Sequence, residues 1–393
     1  MPNIDSWITR ATRRGPVAGL LGLFAMATAL GAFASVTTAA DSLILYVATN
    51  GSDEWSGRLP EPNGNRTDGP LASLTGARDA LRRARTDAHE SPGPVEVRVR
   101  AGTYRLREPF VLEPRDSGMA QAPVVFTAHA GERPVFSGGQ AIDGFRQNGA
   151  LWEAEIADVR SGRWYFRQLF VGGQRRQLAR SPNTGYFRIA ELMPGKSEPP
   201  ANKPVARDRF KFAPGDLKPF ERLSDVDLVL MHSWENSIHP LKAIDPDQHI
   251  VEFAAPLKEW WTIGYWEEKQ RYYIENAREA LDQPGEWYLN RKTGVLSYMP
   301  MPAETIDKID VFAPSTTQLL VLAGKPGENR WVEHITIRGL AFQHSDWELA
   351  PGGNSSTQAA IEVPAAIVAD GARHCIFENC EVAHVGTYCS GSS

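Results

Sequence analysis

The segment Phe342-Gln343-His344-Ser345-Asp346-Trp347-Glu348 holds the residues best suited to chemistry in this chain. Two carboxyls, Asp346 and Glu348, flank an indole directly after a strand-like run. Two such acids could cleave a glycosidic bond, one protonated to assist the leaving oxygen, the other ionised as nucleophile or base. They would have to face each other at roughly 5 Å for retention of configuration, or about 6.5–9.5 Å for inversion. Trp347 could stack on a sugar ring, with His344 as a further binding group. The plain alternative is a solvated loop around a packing tryptophan.

A second constellation is His232-Ser233-Trp234-Glu235-Asn236-Ser237, again after a strand-like run. Trp234 and Glu235 are its candidates for substrate contact, and the pairs Trp260-Trp261 and Tyr265-Trp266 add aromatic surface nearby in sequence. Core and hinge packing is the commoner use of such residues. Three further acids are considered. Asp370 precedes Gly371 and reads as a turn former. Glu378 and Glu381 alternate with apolar positions, so they face solvent or a groove.

Other chemistries are poorly served. His344, His374 and His384 make no metal-ligand spacing with nearby acids, so no metal site is expected. No Gly-rich loop follows a strand and opens a helix, which argues against a nucleotide. There is no nucleophile elbow, and no cofactor is expected. A net charge of -5 and a pI of about 6.0, with no long basic run after the N-terminus, do not recommend nucleic acid. Cys375, Cys380 and Cys389 are the only cysteines. The first two fall in inward slots of a repeat and are expected as small buried residues, not as a disulfide framework.

That repeat is the element that must position the acids. His334-Ile335-Thr336-Ile337-Arg338-Gly339-Leu340-Ala341-Phe342 aligns with His374-Cys375-Ile376-Phe377-Glu378-Asn379-Cys380-Glu381-Val382. Ile335 matches Cys375, Ile337 matches Phe377, Leu340 matches Cys380 and Phe342 matches Val382. Apolar residues alternate within each half, the period of a strand. The break between halves ends in Gly or Asn, which tolerate a left-handed backbone. Strand, sharp bend, strand, repeated, predicts a right-handed parallel β-helix in which each coil needs a neighbour stacked on it.

The rest of the chain fits around that coil. The hydrophobic share is 42% with 11 Trp, enough for a sizeable core, and 34 Gly with 28 Pro suit turns and strands over helices. Arg10, Arg13 and Arg14 precede an apolar run to about Val36, then Thr38-Ala39-Ala40. Residues 1–40 therefore read as a secretory signal, with an uncleaved membrane anchor as the alternative and the export route left open. Residues 41–144 are expected to hold the first coils. They include a helix from about Thr75 to Ala88, capped by Ser73 or Thr75, that covers the end of the stack. Its arginines Arg78, Arg82, Arg83 and Arg85 read as a solvated face. Residues 145–305 differ in character. Aromatic strands and hairpin turns there, such as Gly172-Gly173 and Asn290-Arg291-Lys292-Thr293-Gly294, predict an inserted antiparallel β-sandwich. Within it, 191–224 reads as a long surface loop. Residues 306–393 return to the coil.

Several stretches go beyond architecture. They are Tyr46-Val47-Ala48-Thr49-Asn50-Gly51-Ser52-Asp53 leading to Gly69-Pro70-Leu71-Ala72-Ser73-Leu74, then Arg167-Gln168-Leu169-Phe170-Val171-Gly172-Gly173, and Ala179-Arg180-Ser181-Pro182-Asn183. Glu275-Asn276-Ala277 and the run from Gly285 to Gly294 complete the set. Together they resemble secreted bacterial β-helix proteins of the group containing glycoside hydrolase family 141, which includes fucosidase- and xylanase-type enzymes. The resemblance implies an all-β fold with a sandwich insert, export from the cell and a polysaccharide or oligosaccharide partner. It also implies an acidic pair several coils further down the helix than this sequence reaches. The chain is thus expected to be a truncated or frameshifted piece, inactive by itself, of a hydrolase acting on plant or algal polysaccharide. Two rivals stay open: a polysaccharide lyase, and a surface β-helix that holds glycan without cleaving it.

Overall fold

A computed structural model describes residues 42–87, 93–195, 205–257, 263–356, 363–386 and 388–392. The signal-like stretch and Trp260-Trp261 lie outside them. Among the described residues no helix is long and apolar enough to cross a membrane.

The repeat stacks as its pattern predicts. Ile337 pairs with Phe377 and Phe342 with Val382 in parallel register, and Arg338 and Glu378 sit 40 residues apart in sequence. Three parallel sheets form the walls of a β-helix. The first has five strands, Leu43–Val47, Val95–Val99, Val124–Ala128, Ile335–Arg338 and Ile376–Glu378, one for each of five rungs. The second runs Gly102–Arg105, Pro134–Ser137, Ala341–Ser345, Glu381–Val385, and the third Phe110–Leu112, Leu320–Ala323, Ala365–Asp370, Tyr388–Ser392. Gly339 (φ 67°) and Asn379 (φ 52°) make the bend between the first two walls. Parallel crossovers of this kind are right-handed.

The interior is apolar and layered. Phe136 stacks on Tyr104 at 5.0 Å and on Phe342 at 5.7 Å, a ladder running from rung to rung. Ile335 and Cys375 pack into that same interior. Cys375 and Cys380 are half-buried, with their thiols directed at the carbonyls of Val332 and Ile337.

Helix Leu74–Asp87 closes the first end, burying Leu74, Ala77, Ala80 and Leu81 in the coil core. Ser73 Oγ accepts the Gly76 N–H at 2.9 Å, an N-cap, and Asp53 accepts the N–H groups of Ala72 and Ser73. The arginines of this helix differ from the solvated face expected. Arg82 makes a bidentate pair with the fully buried Asp116, both contacts 2.6 Å. Arg78 donates to the Val111 carbonyl and Arg85 to those of Arg115 and Ser117. The cap is pinned by charge as well as by its apolar stripe; only Arg83 is exposed.

The insert leaves the third rung after Pro134–Ser137 and the coil resumes at Leu320–Ala323. It contains two eight-stranded sheets. One runs from Gly139–Ala141 and Val311–Pro314, nearest the coil, out to Arg146–Asn148; the other is built around Asp227–Met231, Asn236–Asp245 and Arg271–Glu275. Pairing is antiparallel except where Gln174–Leu178 meets Glu286–Leu289. Alternation explains the two cores. Tyr288 packs with Phe210, Leu228 and Tyr272 between the sheets, while its neighbours Trp287 and Leu289 face a second core with Trp152 and Tyr298. The Gly172-Gly173 turn has both residues at positive φ, as a tight hairpin requires. The expected loop at 191–224 instead contributes strands Glu191–Pro194 and Val205–Lys211, with Leu192 opposite Phe210. Arg207, Asp208 and Arg209 between the buried Ala206 and Phe210 hid the alternation.

Candidate functional site

The fourth rung opens at one corner. Strand Ala341–Ser345 ends, the chain runs outward through Asp346, Trp347 and Glu348, and it returns at Ala365–Asp370. On the third rung the insert departs between the same two walls. Two excursions from stacked corners therefore meet. Asn354 on the loop and Ile238 on the insert exchange both backbone hydrogen bonds, each 2.8 Å.

This contact joins the two constellations named above. A groove of about 300 Å³ is lined by Asn236 and Ile238 of the insert, Trp347, Asn354 and Val363 of the loop, and Gly386 and Tyr388 of the fifth rung. Asn236 falls within the second constellation, while Ile238, Asn354 and Gly386 carry no local signal that would have marked them; long-range pairing brings them together.

Asp346 stands at the base of the loop, 5% exposed. Its N–H donates to the Thr316 carbonyl at 2.8 Å, and its Oδ1 accepts from Gln168 Nε2 at 3.3 Å. Burial pushes its carboxyl up to about 7, and the charge of Glu348 adds to that. The Trp347 N–H, Gln168 and Arg167 pull the other way. A carboxyl so placed holds its proton near neutrality. Glu348 itself is exposed.

The remaining candidates are distributed as follows. His344 lies in the packing between coil and insert, where its Nδ1 meets Ser137 Oγ at 2.8 Å and its ring stacks on His384 and Phe312. Burial lowers it to about 4, so it is neutral. Trp234 is 51% exposed and meets Trp266 edge-on at 4.8 Å; Tyr265 contacts Trp266 at 4.7 Å. The Glu235 side chain is enclosed, and its Oε2 accepts the Ser356 N–H at 3.4 Å. Glu378 pairs with Arg338 and Glu381 with Arg133 on the outer walls, and the Asp370 carbonyl accepts the Gly324 N–H of the rung stacked before it. Among the described residues no cluster of three or more potential metal ligands occurs.

Arg167, next to Gln168, was not marked as a site residue by its sequence. Its enclosed guanidinium pairs with Asp227 and Glu275 of the second sheet. Burial pushes Glu275 up and Arg167 opposes that shift. Asn276, at φ 56°, donates to the Asp225 carbonyl and accepts the Leu289 N–H. The motif residues behind the family resemblance thus lock the two sheets of the insert together.

Comparison with known proteins agrees with this architecture. Residues 149–301 match the GH141 insertion domain. A solved structure described as "Glycoside hydrolase" shares the fold, with a TM-score of 0.69 and 23% identity. The match covers 88% of this chain and 62% of that one, so this chain spans under two thirds of its neighbour's length. Two weaker overlaps carry no argument. "The complex structure of XylC with xylose" has a TM-score of 0.36 and 14% identity, covering 86% of this chain and 40% of that one. The tailspike Gp54 of Acinetobacter baumannii bacteriophage AP22, in complex with capsular saccharide, has 0.15 and 7%, covering 76% and 33%. No curated protein sequence matches. The chain resembles family 141 glycoside hydrolases through its insert and is an all-β β-helix protein with a glycoside hydrolase neighbour.

Proposed function

We propose that the protein is a secreted, carbohydrate-active protein of glycoside hydrolase type, whose groove between coil and insert takes a plant or algal polysaccharide. Asp346 would donate the proton to the leaving oxygen. The observation that carries this reading is the placement of Asp346, buried directly behind the groove-lining Trp347 and against Gly386, with its carboxyl held up to about 7. A general acid must be protonated at working pH, and burial is the usual way to achieve that. The indole of Trp347, with Trp234, Tyr265 and Trp266 on the insert, offers ring faces to the C–H faces of pyranoses. The second carboxyl of the hydrolytic pair would come from a rung stacked beyond the fifth; the greater length of the matched glycoside hydrolase supports this division.

The test is reducing-sugar release from xylan and fucosylated polysaccharide. It compares the 393-residue chain with the gene product that includes any in-frame coding sequence downstream. Turnover by the longer product, lost in Asp346→Asn, is expected, with none from the 393 residues alone. Robust turnover by the shorter chain would contradict the proposed split of the acids. Unsaturated uronate products would identify a lyase, and saturable binding without turnover a glycan-binding surface protein.

A further inference from the structure

We propose that Gln168 is a positioning residue for Asp346, reaching it from the insert through a slot that Gly386 leaves open. This rests on the reading of Asp346 as the acid, and extends it to the insert. Gln168 follows Arg167, whose guanidinium is held by two carboxylates of the second sheet, so the backbone here is anchored before it meets the coil. The Gln168 side chain is almost fully buried. Its Nε2 lies 3.3 Å from Asp346 Oδ1 and 3.3 Å from the Ser345 carbonyl, so one amide grips both the acid and the end of its strand.

The fifth rung makes that approach possible. A Cβ added at Gly386 would stand 2.1 Å from Gln168 Nε2 and 3.1 Å from the Asp346 carbonyl carbon. Glycine is required here for space. Its N–H also donates to Ser345 at 2.8 Å, holding the fifth rung against the same strand end. Insert, fourth rung and fifth rung therefore converge on one amide and one carboxyl. An amide N–H stabilises the ionised carboxylate while burial stabilises the protonated form, and the opposition of the two sets where the acid titrates.

The experiment is a pH titration of the Asp346 side-chain carboxyl by carbon NMR in the 393-residue chain, assigned by its absence in Asp346→Asn. Gln168→Leu removes the donor and is expected to raise the midpoint by about one pH unit, the size of one hydrogen bond to a charged acceptor. Gly386→Ala displaces the amide and shifts the midpoint the same way. Gly327→Ala, where an added Cβ meets nothing within 4 Å, leaves it in place. Should Gln168→Leu fail to fold, Gln168→Glu keeps the shape, and its carboxyl is expected to raise the midpoint further. An unmoved midpoint in the folded Gln168 variants overturns the proposal. A moved midpoint in a protein that neither binds nor cleaves glycan keeps the role of Gln168 and removes the catalytic reading of Asp346.

Discussion

The coil and the insert fill their interiors by opposite means. Inside the coil lie Phe110, Phe126, Phe136 and Phe342 with valines and leucines; apart from the Arg82–Asp116 pair under its cap, its charges pair across the outer walls, as Arg338 does with Glu378 and Arg373 with Glu333. The insert buries charge and polar chains. Beside the Arg167 cluster, Gln270 Oε1 accepts the Gly264 N–H, so its Nε2 donates to the Met231 carbonyl and to His232 Nδ1. His232 therefore carries its proton on Nε2 and donates to Ser237 Oγ at 2.8 Å; Ser237 in turn donates to His239 Nε2 at 2.7 Å. Apolar layers are tolerant of small shifts and indifferent to pH. Buried hydrogen-bonded chains specify one geometry and tie it to protonation. The candidate groove lies at the seam, with a wall from each.

Two substitutions should break the comparison with the largest effects. Phe342→Ala removes a rung from the aromatic ladder and is expected to lower stability by about 3–5 kcal/mol in urea unfolding, with the coil failing first. Arg167→Met leaves Glu275 buried without its paired cation and Asp227 with only Arg291, 3.6 Å away. It should cost about 3–5 kcal/mol, read as early loss of the insert by hydrogen exchange, with partial recovery in Arg167→Met, Asp227→Asn, Glu275→Gln.

The pH response sharpens it. Burial holds His239 at about 3 and His232 at about 4, both below the usual 6.5. The unfolded chain then binds more protons in that window, so this contribution is complete above 6.5 and is lost as pH falls through 4 and 3. Melting temperature against pH should fall on the acid side, and His239→Leu should flatten the fall by on the order of 2 kcal/mol over about two pH units. Asp346 works in reverse: its raised value favours the fold at low pH, and that contribution is lost as pH rises through about 7. The smallest effect belongs to the outer wall. Arg338 and Glu378 are half exposed, so Glu378→Gln should change stability by less than about 0.5 kcal/mol.

The same contrast explains what could be read from the chain. The coil is written locally: alternation, a Gly or Asn at the bend, and repetition 40 residues on mark Ile335, Ile337 and Phe342 as interior without reference to anything distant. Strand-end Asp346 and Trp347 are legible for the same reason. The ties of Arg82 to Asp116 and of Arg167 to Glu275 span 34 and 108 residues, and no local pattern announces them. The meeting of Asn354 with Ile238 is of that kind, so the groove's insert wall is out of reach of the sequence even though Trp234 and Glu235 stand out beside it.

Hydrogen exchange with saturating xylo- and fuco-oligosaccharides tests the seam most directly. Binding at the groove is expected to protect residues 231–238 and 346–356 together, and to leave the outer edge at 143–155 unchanged. Protection confined to either wall alone, or to that outer edge, would contradict a site built jointly by coil and insert.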